Sequence, residues 1–326
     1  LFRFRNGSCS RQESTLPSLF QQSGVALIGV GLTLQPESAF LDLLDEVCRC
    51  EVDYFEVSPE TLWWEDESGR LVDNGFHQRL QRLVKQTGKP VVGHGVGLSL
   101  SGADRRDAAR RSRWLLRLAE DHQKLRFAWY TDHLGISAPG GQAVTLPLPI
   151  WQTPAAADRL HRRLRRLQQI IPLVGIENSV FYFTLGDPLD EPAFLTRALR
   201  GSGMHLLLDL HNVFTMAQNV GFSAQEYLRR IDLSRVIELH ISGGTHSDAS
   251  WLRSGRSLRL DSHDDAVPES VWELLDEVLP HCTGLRGITL ERMEGTVGPA
   301  DVPLIRAELA RARLALRRHA RMTPSP

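Results

Sequence analysis

A single-domain α/β protein, a (β/α)8 TIM barrel, is the fold this sequence predicts, and three observations predict it. Eight short apolar runs of strand type alternate with helix-like segments along the chain, the pattern of a parallel sheet covered on its outside. Seven of those runs end on an acidic residue or a histidine, and a closed parallel barrel gathers such ends at one rim. The rival, an open doubly wound sheet, lacks its glycine-rich phosphate fingerprint here.

Taken in order, GVALIGVGL from Gly24 is the first strand, and PESAFLDLLDEVCR is its helix, with Pro36 in the first turn. VDYFE closes on Glu56 and leads to a helix over 75–88, and PVVGH closes on His94 before a helix over 103–122. RFAWYTDH ends on Asp132 and His133, and Thr153-Pro154 then sets a capping residue before proline to open a helix over 155–170. PLVGIE ends on Glu177 before a helix over 190–201, and HLLLD ends on Asp209 before one over 223–231. RVIELH ends on His240 and is followed by a helix over 268–280. GLRGITLE ends on Glu291, and Asp301 opens the last helix, 301–320. Two loops exceed what a barrel needs, Leu134 to Gln152 and Ser242 to Val267, and both fall on the rim of the polar ends, where they are expected to wall a cleft. The barrel is expected to occupy 24–320, between a mobile N-terminal extension, 1–23, and a C-terminal tail, 321–326.

Composition narrows the function. A hydrophobic share of 42% with 24% charged residues suits a large packed core, and a net charge of −1 gives no global attraction for nucleic acid or an anionic membrane. The four cysteines are too few for a disulfide framework, and no apolar run is long enough for a membrane span or a signal peptide, so a cytoplasmic protein is expected. Two arginine-rich segments, DRRDAARRSRWLLRL and DRLHRRLRRL, read as solvated outer helix faces.

The polar strand ends carry the chemistry. A lone histidine or acid there is ordinarily a satisfied core residue or a helix cap. Glu177, Asp209 and Glu291 nevertheless all end apolar runs, and a bound cation is an economical way to hold such carboxylates together. In DLHNVF, Asp209 and Asn212 stand three apart at a strand-to-loop boundary, and in DSH, Asp261 and His263 stand two apart, on one side of an extended segment. Carboxylates and imidazoles without a thiolate suit iron, manganese or zinc, and their number favours more than one ion.

Taken together, GHGVGLSLSG, YTDHLGIS, GIENS, LLLDLHNVF with NVGF, ELHISGG, LDSHDDAVPESVWELL and TLERMEG resemble the DUF692 family of multinuclear non-haem iron-dependent oxidative enzymes, which includes the methanobactin biosynthesis oxidase. The resemblance runs from about Gly29 to Met293. It implies a TIM barrel that holds two or three irons of mixed Fe2+/Fe3+ valence and uses O2 to oxidise a residue, often cysteine, of a ribosomally made precursor peptide (RiPP biosynthesis). A separate partner protein that engages the precursor is also implied. Carried onto this chain, it makes His94, Asp132, His133, Glu177, Asp209, Asn212, His240, Asp261, His263 and Glu291 the metal-site candidates, with Glu177, His240 and Asp209 catalytic. Glu56 then reads as an acid behind the ligands or facing substrate. One departure stands out: Gly244 occupies a position where the family tends to have histidine. Either His246 substitutes for it or one iron position is weakened. The runner-up readings are a xylose-isomerase-like or endonuclease-like divalent-metal barrel acting on a sugar or nucleic acid, and a binding protein with a structural metal. An endonuclease calls for a positive barrel mouth, whereas the arginines here fall on outer helices.

Overall fold

A computed structural model describes residues 29–142, 144 and 146–322. The expected extension 1–23, the first strand's opening residues 24–28 and the tail beyond Met322 lie outside the described residues. Eight parallel strands close into a barrel: β1 (Gly29–Thr33), β2 (Tyr54–Val57), β5 (Val91–Gly95), β6 (Tyr130–His133), β7 (Val174–Glu177), β8 (Met204–Asp209), β9 (Val236–Ile241) and β10 (Gly287–Leu290), each bonded to the next and β10 back to β1. Between β2 and β5 the segment WWEDESGRLVD forms an antiparallel hairpin, β3 (Trp63–Glu65) with β4 (Leu71–Asp73), which the strand-and-helix pattern did not foretell.

The first helix is two, α1 (Ser38–Leu43) and α2 (Asp45–Cys50), followed by α3 (Gly75–Thr87), α4 (Ala108–Leu125), α5 (Pro154–Leu167) and α6 (Glu191–Ala198). Thr153 caps α5 as expected, its hydroxyl accepting from the Ala156 amide at 3.2 Å. The segment DLHNVF differs from its sequence reading. Asp209 is the cap of a helix, α7 (Leu210–Val220), and accepts from the Asn212 amide at 2.7 Å, so His211 and Asn212 ride on its first turn. The remaining helices are α8 (Ala224–Arg230), α9 (Glu269–Val278) and α10 (Val302–Met322).

Strand alternation sorts the lumen into layers. At the bottom Tyr54 and Trp129 pack edge to face with centroids 5.6 Å apart. The rings fit because β1 and β10 put glycine beside them: a Cβ on Gly31 or Gly287 would come within 2.4 Å of Tyr54. Buried Glu238 ties this layer together, accepting from Trp129 Nε1 at 2.6 Å, Tyr54 OH at 3.0 Å and Thr289 Oγ1 at 2.5 Å. Two residues further along their strands, Glu56, His240 and Glu291 reach the carboxyl rim.

The arginine-rich segments are less solvated than expected, since Arg111 and Arg117 are buried. Arg110 donates to the Gly97 carbonyl at 2.7 Å and Arg163 to the Leu100 carbonyl at 2.6 Å, so arginines from α4 and α5 hold the glycine-rich loop after His94 in shape. Burial pulls the Arg163 guanidinium down to about 10. Their length and fixed fork of donors let them reach loop carbonyls that water would otherwise have to satisfy.

Candidate metal centre at the barrel mouth

The rim gathers most of the polar strand ends into one buried group. His94 from β5 and His133 from β6 approach the same oxygen of Glu177 from β7, with His94 Nε2 3.4 Å and His133 Nε2 3.0 Å from Oε2. On the other side of Glu177, its Oε1 lies 3.9 Å from His240 Nδ1, and Asp209 stands close enough to complete a second group with the same two residues. Glu177 therefore belongs to both groups, His94–His133–Glu177 and Glu177–Asp209–His240. Glu291 Oε2 continues the chain of donors, 3.2 Å from His240 Nδ1 and 3.6 Å from His263 Nε2. His263 Nε2 is in turn 2.8 Å from Asp261 Oδ1.

These atoms fit a metal by two criteria. Donors about 2.1 Å from one ion stand roughly 3 Å from each other, which is the spacing of several of these pairs. In addition, His94 Nε2, Glu177 Oε2, His240 Nδ1, Asp209 Oδ2, Asn212 Oδ1 and Glu291 Oε2 are all buried without a hydrogen-bond partner. Buried polar atoms are ordinarily paired, and six such atoms at one rim are compatible with cations that would satisfy them.

The opposite nitrogens of the rings are held. His133 Nδ1 donates to the Gly95 carbonyl at 3.1 Å, His94 Nδ1 meets Thr131 Oγ1 at 2.8 Å, and His240 Nε2 meets Glu56 Oε2 at 2.8 Å. Such partners orient an imidazole and settle which nitrogen is left to coordinate. Glu56 is itself fixed by the Thr33 hydroxyl at 2.6 Å, so it stands behind His240. Asn178, which the sequence reading did not single out, clamps Asp209: its Oδ1 accepts from the Asp209 amide at 2.8 Å and its Nδ2 donates to the Asp209 carbonyl at 2.9 Å. Asn212 Nδ2 donates to Glu177 Oε1 at 3.2 Å.

Asp132 is the candidate that the fold does not bring to this group. Adjacent strand residues face opposite ways, so with His133 pointing into the lumen Asp132 points out, where Tyr130 OH donates to it at 2.9 Å. Burial and neighbouring Glu60 push its carboxyl well above the ordinary range.

Electrostatics describe a site short of positive charge. Burial and the negative Asp261, Glu177 and Glu291 push Asp209 well above a normal carboxyl. Burial works against protonation of His94, yet Glu177 outweighs it and raises the imidazole to about 9. His263, opposed by burial and favoured by Asp261 and Glu291, rises to about 10. The carboxylates at the mouth thus favour positive charge beside them, on a histidine or on a bound cation.

Beside the centre lies a cavity of about 210 Å³, lined by Asn178 and Asn212 and walled by Ile150 and Trp151 of the first long loop together with Phe181 and Met216. Glu191 at its edge accepts from Tyr227 OH at 2.7 Å and Gln152 Nε2 at 3.0 Å, and burial holds its carboxyl at about 7. The second long loop supplies Asp261 and His263. Among the described residues, no helix is long and apolar enough to cross a membrane.

Solved structures with this architecture include the D-psicose 3-epimerase of Clostridium cellulolyticum H10, TM-score 0.52 at 13% identity over 90% of this chain and 98% of that one. A sugar phosphate isomerase/epimerase of Parabacteroides distasonis gives TM-score 0.52 at 14% identity over 93% and 99%. At such identity the likeness shows the fold alone. Among curated relatives, a UPF0276 protein of Pseudomonas aeruginosa is 33% identical over 81% of this chain and 85% of its own length. A UPF0276 protein of Caulobacter vibrioides is 31% identical over 88% and 94%. Residues 28–316, nearly the whole barrel with its rim of histidines and carboxylates, match the RiPP precursor modification enzymes MbnB/TglH/ChrH, and the chain belongs to that family.

Proposed function

We propose that this protein is a multinuclear non-haem iron-dependent oxidase that uses O2 to modify a residue, a cysteine, of a ribosomally made precursor peptide. The observation that carries the reading is the sharing of Glu177 between two groups of buried donors, which suits a cluster of ions better than one isolated ion. His94, His133, Glu177, Asp209, His240, Asp261, His263 and Glu291 are the residues that would hold it, with Asn212 at its edge. Two or three irons of mixed valence there would supply the electrons for O2 and a Lewis acid for the substrate thiol.

The chain's own residues do the rest. Glu177 belongs to both groups of donors and would help to hold both positions. Glu56 keeps the His240 ring turned so that Nδ1 faces the cluster, and the Gly95 carbonyl holds His133 by Nδ1 so that its Nε2 does. The cavity behind Asn178 and Asn212 would take the peptide segment next to the reacting residue and exclude water around it. Trp151, Phe183 and Trp251 are exposed on loops beyond β6, β7 and β9, a surface suited to the precursor or to a separate protein that presents it.

The test is to load the purified chain with ferrous ion under anaerobic conditions, then add air and a short cysteine-bearing peptide of the kind a neighbouring open reading frame would encode. O2 uptake with a mass change on the peptide is expected. Glu177→Ala should lose more than about 100-fold, beyond the 10–100-fold typical of residues that merely support a ligand. A protein that takes up no iron, or a Glu177→Ala, His240→Ala pair with full turnover, overturns the proposal.

A further inference from the structure

We propose that His211 is a metal ligand, joining Asp261 and His263 in a further divalent-metal position beside the two that share Glu177. The inference rests on the metal reading above and adds a residue that neither the strand endings nor the resemblance selected.

His211 sits on the first turn of α7, fully buried, and its Nδ1 lies 3.0 Å from Asp261 Oδ1. His263 Nε2 approaches the same oxygen at 2.8 Å. Two imidazoles thus approach one carboxylate oxygen, one from α7 and one from the loop after β9. Glu291 Oε2, buried and without a hydrogen-bond partner, stands 3.6 Å from His263 Nε2 and links this point to the rest of the mouth. His263 holds its ring there from a left-handed backbone, φ 52°, a conformation that a non-glycine residue adopts at a cost and that clusters at functional positions.

Gly244 explains why the imidazole comes from a helix. A Cβ on Gly244 would lie 2.1 Å from the Leu260 carbonyl oxygen and 3.2 Å from His211 Cε1, so no side chain enters from that position and the His211 ring lies against it. His246, the substitute that the sequence suggested, is exposed and bridges to Arg259. The gap at Gly244 is therefore filled by the residue that the glycine makes room for.

The tautomer decides between a ligand and a brace. With its proton on Nε2, 3.4 Å from an accepting Thr215 hydroxyl, His211 offers the Nδ1 lone pair to a cation. In the opposite tautomer Nε2 accepts from Arg259 Nη2, also at 3.4 Å, and Nδ1 only donates to Asp261. A donor set of two imidazoles with carboxylates suits ferrous, manganous or zinc ions.

The test reads metal content. The full chain and its variants are loaded with ferrous ion anaerobically, desalted, and assayed for iron per chain and by Mössbauer spectroscopy. His211→Asn is expected to lose one iron and its Mössbauer component while keeping those that depend on Glu177. Gly244→Ala, which drives the Leu260 carbonyl and His211 apart, should lose the same component, and imidazole added to His211→Gly should restore it. His211→Asn with the iron content and spectrum of the unmodified chain overturns this inference alone. An unmodified chain that binds no iron overturns the metal reading and this inference together.

Discussion

Two clusters of histidine and aspartate or glutamate in this protein have similar donors and opposite chemistry. At the barrel mouth, Glu177 and Glu291 are faced by His94, His133, His240 and His263, and buried oxygens and nitrogens are left unpaired. On the barrel's outer side, between the β3–β4 hairpin, α3 and α4, Asp73, His77 and Asp121 also converge, with His77 Nδ1 3.0 Å from Asp73 and 4.0 Å from Asp121. There the protein brings its own cations. Arg117 bonds Asp73 and reaches Asp121 at 2.8 Å, Lys124 reaches Asp73 at 2.9 Å, and Trp63 Nε1 donates to Asp121 at 3.0 Å. The imidazoles register the difference. Burial lowers His77, and Lys124 adds to the lowering against Asp73 and Asp121, whereas Glu177 lifts His94 to about 9. Residue type alone does not mark a metal site; the balance of charge and hydrogen-bond donors around the carboxylates does.

That comparison can be broken from either side. The largest effect belongs to the outer cluster, where Arg117→Met strands buried Asp121 and should cost about 3–5 kcal/mol of stability, as removal of one partner of a buried ion pair does. Denaturant titration reads the loss, and iron content should be untouched; a variant that loses iron instead would merge the two clusters into one system. At the mouth, Glu56→Ala frees the His240 ring and should lower iron affinity and turnover by about 10–100-fold with little change in melting temperature. Unchanged affinity there would show that Glu56 does not act through His240.

A smaller, pH-dependent effect follows from His77. Its folded-state value is depressed, so its contribution is present above the unfolded value of about 6.5 and drains away as pH falls, because the unfolded chain takes up the proton first. Denaturation midpoints should decline below about pH 6.5, and more gently in His77→Gln than in the unmodified chain. Parallel profiles would contradict the assignment. Smallest of all, Asp132→Asn should leave iron content as it was, since Asp132 faces away from the cluster; a lost iron would return it to the site.

The barrel was legible because its evidence is local: apolar runs ending on an acid or histidine, and proline or threonine at helix starts, are read within a few residues. Glu177, His240 and Glu291 were legible for the same reason, each closing such a run. Asp132 shows the limit of that reading. In YTDH two polar residues end one strand, and only alternation relative to the lumen decides which of them enters. Asp209 was recognised as a strand end but not as the cap of α7, so the helix that carries His211 was read as a loop. His211 meets Asp261 across 50 positions, Glu56 meets His240 across 184, and no spacing rule links either pair. The outer arginines were misjudged because partners such as the Leu100 carbonyl for Arg163 and Asp73 for Arg117 lie 63 and 44 positions away.

The most direct test of the account is to locate the metal. Crystals grown anaerobically with ferrous ion and measured on both sides of the iron absorption edge should show anomalous peaks between Glu177 and the His94–His133 pair and between Glu177, Asp209 and His240, with none among Asp73, His77 and Asp121. Iron at the outer cluster, or no iron against Glu177, would contradict it.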